Sequence, residues 1–163
     1  GLPVIAAAKA AQEGKNLDQI VEMLHQTIQR THMFGKVDNI AHLLKGKRFR
    51  LTRGLILLGK IAMVLGIKLL GEIYDGGRVR SPVLVFSQAR ALNRLKRWAE
   101  SSTGIKEIAI AYSTMPEEAE MLAKRLEPLL PTEHILITKL GCVTSTYVGP
   151  GILAMSLLIG EQS

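Results

Sequence analysis

The sequence predicts an α+β fold in which helices pack against a mixed, largely antiparallel sheet, with a mixed α/β arrangement as the alternative. Helical and extended patterns alternate along the chain, and two extended segments flank Asp75-Gly76-Gly77, a turn typical of a hairpin. Hydrophobic residues make up 47% of the 163 residues, and the mean hydropathy is +0.19. This is enough for one hydrophobic core, so we expect a single domain over residues 1–163.

Two leading helices are predicted at the start of the chain. The first covers the Ala-rich residues 3–13 and ends at Gly14. The second follows Asn16, a typical N-cap, and carries apolar residues at helical spacing from Leu17 to Ile28. Residues 1–30 are thus expected to be mainly helical.

The next segments are predicted from shorter patterns. A weak alternation predicts a strand over Met33–Val37, and a short helix is predicted over Ile40–Leu44, before Gly46. Leu51–Val64 is apolar on nearly every side, so a helix there is expected to be buried.

A hairpin and an amphipathic helix are predicted in the middle of the chain. The hairpin strands are Ile67–Tyr74 and Val79–Phe86, and Ser87 caps a helix that ends near Glu100. Its expected inward face consists of Ala91, Leu95 and Trp98, and its basic stripe of Arg90, Arg94 and Arg97.

The last third combines strands with one clearly marked helix. Ile105–Tyr112 predicts a strand, and Ser113–Glu118 opens a helix with an expected hydroxyl cap, an early Pro116 and acidic residues that favour the helix dipole. The helix is expected to end near Leu126. Strands are then predicted over His134–Leu140, Val143–Tyr147 and Ile152–Ile159.

Charge, cysteine content and hydropathy limit the function classes. The net charge of +7 and the pI near 9.8 allow an anionic partner such as nucleic acid or an acidic protein surface. The single cysteine, Cys142, makes the cytoplasm the expected compartment. Lysines interrupt the longest apolar run, Leu55–Leu70, so no transmembrane helix is predicted. The sequence begins without Met or a signal peptide, and we expect a fragment of a longer protein.

Catalytic and metal-binding patterns are weak in this chain. Residues 54–60 have the spacing of a phosphate-binding loop, but Ile61 stands where a Ser or Thr should ligate magnesium. The histidines have no partner at metal-ligand spacing, and no serine lies in a nucleophile elbow. The carboxylates of residues 117–120 are explained by the dipole at a helix start. We therefore expect neither an enzyme nor a metal site.

The segment before the last strand combines hydroxyl side chains with a tight turn. Residues 144–147 all carry hydroxyls, and Gly149-Pro150-Gly151 follows them. In a strand, residues 144 and 146 would point to one face and residues 145 and 147 to the other. Either pair could donate hydrogen bonds to a carboxylate, and the glycines allow close backbone approach. A polar strand edge without a ligand is the alternative. The candidate headgroup residues are Tyr147, Thr146, Thr144, Ser145, Gly149 and Gly151.

Several motifs, in order, resemble those of the DegV family, bacterial fatty-acid-binding proteins that include the lipid-carrying subunit of fatty-acid kinase. Val37-Asp38-Asn39 with Leu43-Leu44-Lys45-Gly46-Lys47-Arg48 resembles "vdtleyLkkGGRi", and Ile67-Lys68 resembles "iKPil". Ala111-Tyr112-Ser113-Thr114 with Pro116-Glu117-Glu118-Ala119 resembles "ayst.peeA", and Val148-Gly149-Pro150-Gly151 resembles "htGPGa". The resemblance covers nearly all 163 residues.

The resemblance implies a two-domain protein. An N-terminal α/β domain would supply hydroxyls for the fatty-acid carboxylate, and the acyl chain would lie in a tunnel between the domains. Residues 31–163 resemble the C-terminal lobe, so the N-terminal domain and half of the headgroup site are expected to be absent from this chain. Tyr147 stands where the family commonly has His, and Phe86 where many members have an Arg that faces the kinase.

The resemblance further implies that the chain binds a long-chain fatty acid without a cofactor and presents the carboxylate to a fatty-acid kinase. The acyl-tunnel candidates are Leu55, Leu57, Leu58, Met63, Ile152, Leu153 and Met155. The partner-docking candidates are Lys47, Arg48, Arg50 and Arg53. The alternative is a basic nucleic-acid-binding or protein-interaction module. An exposed half-tunnel could also make the chain self-associate.

Overall fold

The computed structural model describes residues 1–40, 42, 61, 64–74 and 78–160. These residues form an α+β fold with one six-stranded sheet, which confirms the predicted fold class. The helices are α1 (Leu2–Gln12), α2 (Leu17–Gln29), α3 (Gln88–Glu100), α4 (Pro116–Leu126) and α5 (Cys142–Val148), with a 3-10 turn at Thr132–His134. The strands are β1 (Thr31–Val37), β2 (Lys68–Tyr74), β3 (Arg78–Val85), β4 (Ile105–Tyr112), β5 (Ile135–Lys139) and β6 (Ile152–Ile159).

The sheet is mixed, with the strand order β3-β2-β1-β6-β4-β5. Among the described strands, β4 and β5 pair in parallel, whereas the other neighbours are antiparallel. The predicted hairpin is confirmed as the pair β2–β3, and its turn at residues 75–77 lies outside the described residues. The strands predicted at 33–37, 105–112, 134–140 and 152–159 are likewise confirmed as β1, β4, β5 and β6.

The hydrophobic core lies between the sheet and the helices α3 and α4. Ala91 and Leu95 of α3 are fully buried, and Trp98 stacks on Phe34 of β1 with ring centroids 4.7 Å apart. The predicted inward face of α3 is therefore confirmed. Its basic stripe, Arg90, Arg94 and Arg97, is exposed on the outside.

The helices α1 and α2 pack against each other at the start of the chain. A capping box begins α2, because Asn16 Oδ1 accepts from Gln19 N and Gln19 Oε1 accepts from Asn16 N, each at 3.0 Å. The predicted N-cap is confirmed. The apolar side chains of α2 are only partly covered, with Leu17 75% and Ile28 56% exposed.

The strand predicted over Val143–Tyr147 is wrong, because this segment lies within the helix α5. Its β-branched and aromatic residues favour a strand. However, Ser145 N donates to Gly141 O at 3.0 Å, and Gly149 N donates to Ser145 O at 2.8 Å. The backbone is therefore paired within a short helix instead of with a neighbouring strand, and the hydroxyls do not alternate between two sheet faces.

The hydroxyl cap predicted for α4 is also wrong. The N-cap is Met115, which makes no side-chain capping bond. The nearby hydroxyls of Ser113 and Thr114 instead accept hydrogen bonds from Ile152 N at 3.0 Å and Gly151 N at 3.1 Å. They pair with the start of β6 because β6 lies directly beside β4 in the sheet.

Two predictions fall mainly outside the described residues. Within Ile40–Leu44, the described residues Ile40 and His42 are helical. Within Leu51–Val64, Ile61 and Val64 are described, and both are exposed, at 47% and 83%. These two side chains therefore do not have the burial that we expected of this segment.

Candidate functional site

The Gly149-Pro150-Gly151 turn lies where β1, β3, β4 and β5 end and where β2 and β6 begin, which we call the Gly-Pro-Gly edge of the sheet. The strand register brings distant segments together here. Val37 pairs with Ile152 on one side and with Leu69 on the other. Asp38, Gly151 and Lys68, the residues next to these, therefore gather at the edge.

Backbone amides of the turn are occupied by partners within the chain. Gly149 N donates to Ser145 O, and Gly151 N donates to Thr114 Oγ1 at 3.1 Å. The Thr114 hydroxyl accepts this bond and therefore keeps its own hydrogen for another acceptor. Thr114 is exposed. The side chain, rather than these amides, can thus donate a hydrogen bond to a ligand.

A histidine from the segment after β1 packs on the turn. His42 Nε2 lies 3.0 Å from Thr146 O, and since a carbonyl only accepts, Nε2 carries the hydrogen. A Cβ added to Gly149 would lie 2.5 Å from His42 Cδ2, so the imidazole covers the glycine. Asn39 Oδ1 accepts from His42 N at 2.9 Å and holds this segment. An imidazole is therefore present beside the turn.

A cluster of charged side chains, Lys36, Asp38, Lys68 and Glu118, lies beneath the turn, and we call it the charge cluster. Lys36 has no exposed side-chain surface; its Nζ contacts Asp38 Oδ2 at 2.9 Å and also contacts Glu118 Oε2. Lys68 Nζ lies 3.0 Å from Asp38 Oδ1, an ion pair without hydrogen-bond alignment. Two ammonium groups thus balance two carboxylates, which makes their burial tolerable.

Asp38 forms the floor of the turn. A Cβ added to Gly151 would lie 2.7 Å from Asp38 Cβ and 3.0 Å from Asp38 Oδ2. Gly151 also has a φ of +76°, which favours glycine. Only a residue without a side chain therefore fits this position without a local shift.

The predicted headgroup residues lie around α5 and the turn. The carbonyl of Thr146 contacts His42 Nε2, and its hydroxyl donates to Cys142 O at 2.8 Å. The half-buried Ser145 donates to Leu140 O at 3.3 Å. Thr144 is exposed, and Tyr147 is 69% exposed. Gly149 and Gly151 lie in the site, against His42 and Asp38 respectively.

The three tunnel candidates within the described residues divide between the two faces of the sheet. Leu153 and Met155 have no exposed surface and belong to the core under α3 and α4. Ile152 is 8% exposed, and the alternation along β6 places it on the opposite face. Four tunnel candidates, Leu55, Leu57, Leu58 and Met63, and the docking candidates Lys47, Arg48, Arg50 and Arg53 lie outside the described residues.

A row of small residues crosses the sheet face that points away from α3 and α4. The register places Gly71, Gly35, Ala154, Ala111 and Thr138 side by side on five strands. A Cβ added to Gly35 would meet no described atom within 4 Å. Gly35, Ala111 and Ala154 are half-buried, whereas Gly71 is buried. With four strand spacings of about 4.8 Å, the row is about 19 Å long. The row is therefore long enough for an extended apolar chain.

Exposed apolar side chains also gather at the Gly-Pro-Gly edge. They are Val64, Leu65, Phe86, Val143 and Tyr147, each more than half exposed. Two surface depressions, of about 360 and 400 Å³, lie at the opposite edge, near the start of β4. Neither is lined by a residue of the turn. These two depressions are therefore separate from the chemistry of the turn.

Sequence reasoning missed the side chains that hold the turn, namely Lys36, Asp38, His42, Ser113, Thr114 and Glu118. One signal was available: Lys36 follows Phe34 by two residues, so both point to the same face of β1. A lysine on the core side of a strand needs a buried acidic partner. Its partner Glu118 is 82 residues away and was explained by the helix dipole alone.

Within the described residues, no group of His, Cys, Asp and Glu side chains is arranged to hold a metal ion. Across the same residues, the helices are too short or too polar to cross a membrane.

Comparison with known proteins gives one consistent family. The family model "Uncharacterised protein, DegV family" matches residues 1–159. A DegV domain-containing protein of Streptococcus pyogenes is 29% identical over 163 residues, which cover 100% of this chain and 55% of that protein. The chain therefore spans about half the length of this relative.

Solved structures give the same result. The fatty acid binding DegV family protein of Streptococcus agalactiae has a TM-score of 0.75 at 27% identity, covering 99% of this chain and 56% of that one. The Fatty Acid Kinase (Fak) B3 protein of Streptococcus pneumoniae, loaded with linoleic acid, has a TM-score of 0.82 at 18% identity, covering 98% and 55%. At 18% identity, the second likeness shows the fold alone.

Proposed function

This chain belongs to the DegV family, and we propose that it supplies one wall of a fatty-acid site. The headgroup would lie at the Gly-Pro-Gly edge. The observation that carries the proposal is the exposed Thr114 hydroxyl, held at Gly151 next to exposed apolar side chains. A carboxylate requires hydrogen-bond donors and an acyl chain requires apolar surface. Both meet at this edge.

The headgroup would be bound by side-chain donors. Thr114 donates its hydroxyl hydrogen, and Tyr147 lies on the adjacent helix α5 with 69% of its surface exposed. His42 Nε2 already donates to Thr146 O, so the imidazole holds the turn in place. A hydrogen bond to a charged group contributes about 1.5–3 kcal/mol, so side-chain donors can orient a carboxylate without a metal ion.

The acyl chain would lie on the sheet face that carries the row of small residues. Gly35, Ala154 and Ala111 have no side-chain atom beyond Cβ, and Ile152 borders them near the turn. Burial of each methylene contributes about 0.8 kcal/mol. A long acyl chain therefore supplies most of the affinity, while the turn supplies selectivity for the carboxylate.

A second domain would complete the site, as the family resemblance implies. The S. pyogenes relative is nearly twice as long as this chain, since the match covers 55% of it. Exposed side chains such as Val64 and Phe86 would then be covered by that domain and the ligand. The N-terminal domain would contribute the other headgroup donors.

The bound carboxylate would be presented to a fatty-acid kinase for phosphorylation. The shared fold of the S. pneumoniae Fatty Acid Kinase B3 protein, which was solved with linoleic acid bound, supports this role. A kinase assay with ATP and labelled oleate tests it. Acyl-phosphate formation that depends on this protein is expected, and none with any partner kinase would contradict it.

The binding proposal is tested by measuring oleate and oleyl alcohol affinities for the chain and for Thr114→Val. Loss of the hydroxyl should weaken oleate binding about tenfold or more, and should leave oleyl alcohol binding nearly unchanged. Thr114→Ser keeps the donor and should bind like the original chain. Thr103→Val, an exposed threonine at the opposite edge, is the matched control. Equal oleate affinity of Thr114→Val and Thr103→Val would contradict the headgroup assignment.

A further inference from the structure

We propose that the buried Lys36 is a positioning residue, which ties together the two segments that hold the Gly-Pro-Gly turn and thereby sets its selectivity for a carboxylate. This inference rests on the proposed fatty-acid site. It adds a residue that would never touch the ligand, since Lys36 has no exposed side-chain surface.

Two separate segments of the chain contact the turn. The segment after β1 provides Asp38, which packs under Gly151, and His42, which covers Gly149. The segment between β4 and α4 provides Thr114, whose hydroxyl oxygen accepts a hydrogen bond from Gly151 N. Neither segment is joined to the other by backbone pairing, because β6 lies between β1 and β4.

Lys36 connects these segments beneath β6. Its Nζ contacts Asp38 Oδ2 at 2.9 Å on one side and Glu118 Oε2, in the first turn of α4, on the other. Asp38 and Glu118 thus share one buried ammonium group. The position of Asp38, which packs under Gly151, is therefore coupled to that of the Thr114 hydroxyl through Lys36.

Stability alone does not account for this arrangement. A buried ion pair is often no more stabilising than apolar residues of similar size, because both charges must leave water. An ion pair, by contrast, holds its two side chains in a defined orientation, which an apolar pair does not. The ion pair therefore provides geometry at the turn.

The test replaces the buried pair by apolar residues in the double variant Lys36→Met/Glu118→Leu. This variant avoids an unpaired buried charge and should keep the fold. The matched control is Lys9→Met/Glu107→Leu, which removes an exposed ion pair of 3.2 Å at the opposite edge. Amide hydrogen exchange of Gly151 and Ile152, and affinities for oleate and oleyl alcohol, are measured for each.

In the double variant, exchange at Gly151 and Ile152 should be faster, and oleate affinity should fall about tenfold while oleyl alcohol affinity stays unchanged. The control variant should change neither. Unchanged exchange and oleate affinity, or equal weakening of both lipids, would overturn the inference.

Two further results separate this inference from its premise. If the original chain binds neither lipid, the proposed function fails, and the exchange rates alone decide the role of Lys36. If the double variant does not fold, Glu118→Gln, which keeps the side-chain shape, should show smaller changes in the same direction. If Glu118→Gln instead keeps the exchange rates and lipid affinities of the original chain, the inference is overturned.

Discussion

Replacing Gly151 by alanine tests the packing of the turn on Asp38. Two costs are expected. At a φ of +76° an L-residue is strained by about 1–2 kcal/mol. The new Cβ would also lie 2.7 Å from Asp38 Cβ, and relieving such overpacking typically costs about 1–3 kcal/mol. Gly151→Ala should therefore lower the free energy of unfolding by about 2–5 kcal/mol in total.

Gly14→Ala provides the matched control. Gly14 has a φ of +80°, and a Cβ there would meet no described atom within 4 Å. It therefore carries the strain without the contact, and the effect of alanine on the unfolded chain is the same in both variants. Urea denaturation followed by circular dichroism should show Gly151→Ala to be less stable than Gly14→Ala by about 1–3 kcal/mol. Equal losses in the two variants would refute the packing of Asp38 against Gly151.

Three further variants probe the parts of the fold separately. Asn16→Ala should lower the free energy of unfolding by about 1 kcal/mol through loss of the capping box, without changing oleate affinity; a change in affinity would link α2 to the site. Ser113→Ala leaves Ile152 N without its acceptor and should cost about 1–3 kcal/mol in denaturation experiments, and full stability would show that this bond contributes nothing. Gly35→Leu fills the row of small residues, so it should weaken oleate more than octanoate in competition assays. Equal weakening of the two acids would place the acyl chain elsewhere.

Within the described residues, the helices and strands follow from local patterns in the sequence, except at α5. The capping residue Asn16 and the periodicity of α3 are local signals, and they are confirmed. In Val143–Tyr147, local strand propensity points the wrong way, because propensity is weak compared with the hydrogen bonds that close a helix from Gly141 to Gly149. A short segment of this kind takes its structure from its surroundings.

The site was predictable only in part. The turn itself was recognised from Gly149-Pro150-Gly151, because glycines of this kind mark close approach or positive φ. The side chains that hold it come from segments that are distant in the sequence: Lys36 and Glu118 are 82 residues apart, and Gly151 and Thr114 are 37 apart. Only the strand order β1-β6-β4 brings them together, and that order is not encoded in any local pattern.

The most direct test of the fatty-acid site is photo-crosslinking with a fatty acid that carries a diazirine next to its carboxylate, followed by peptide mapping. We expect crosslinks to residues 113–114 and 147–151, which surround the Gly-Pro-Gly turn, and competition by unlabelled oleate. Crosslinks confined to the depression lined by Leu2, Ile5 and Ile135 at the opposite edge would contradict the proposed site.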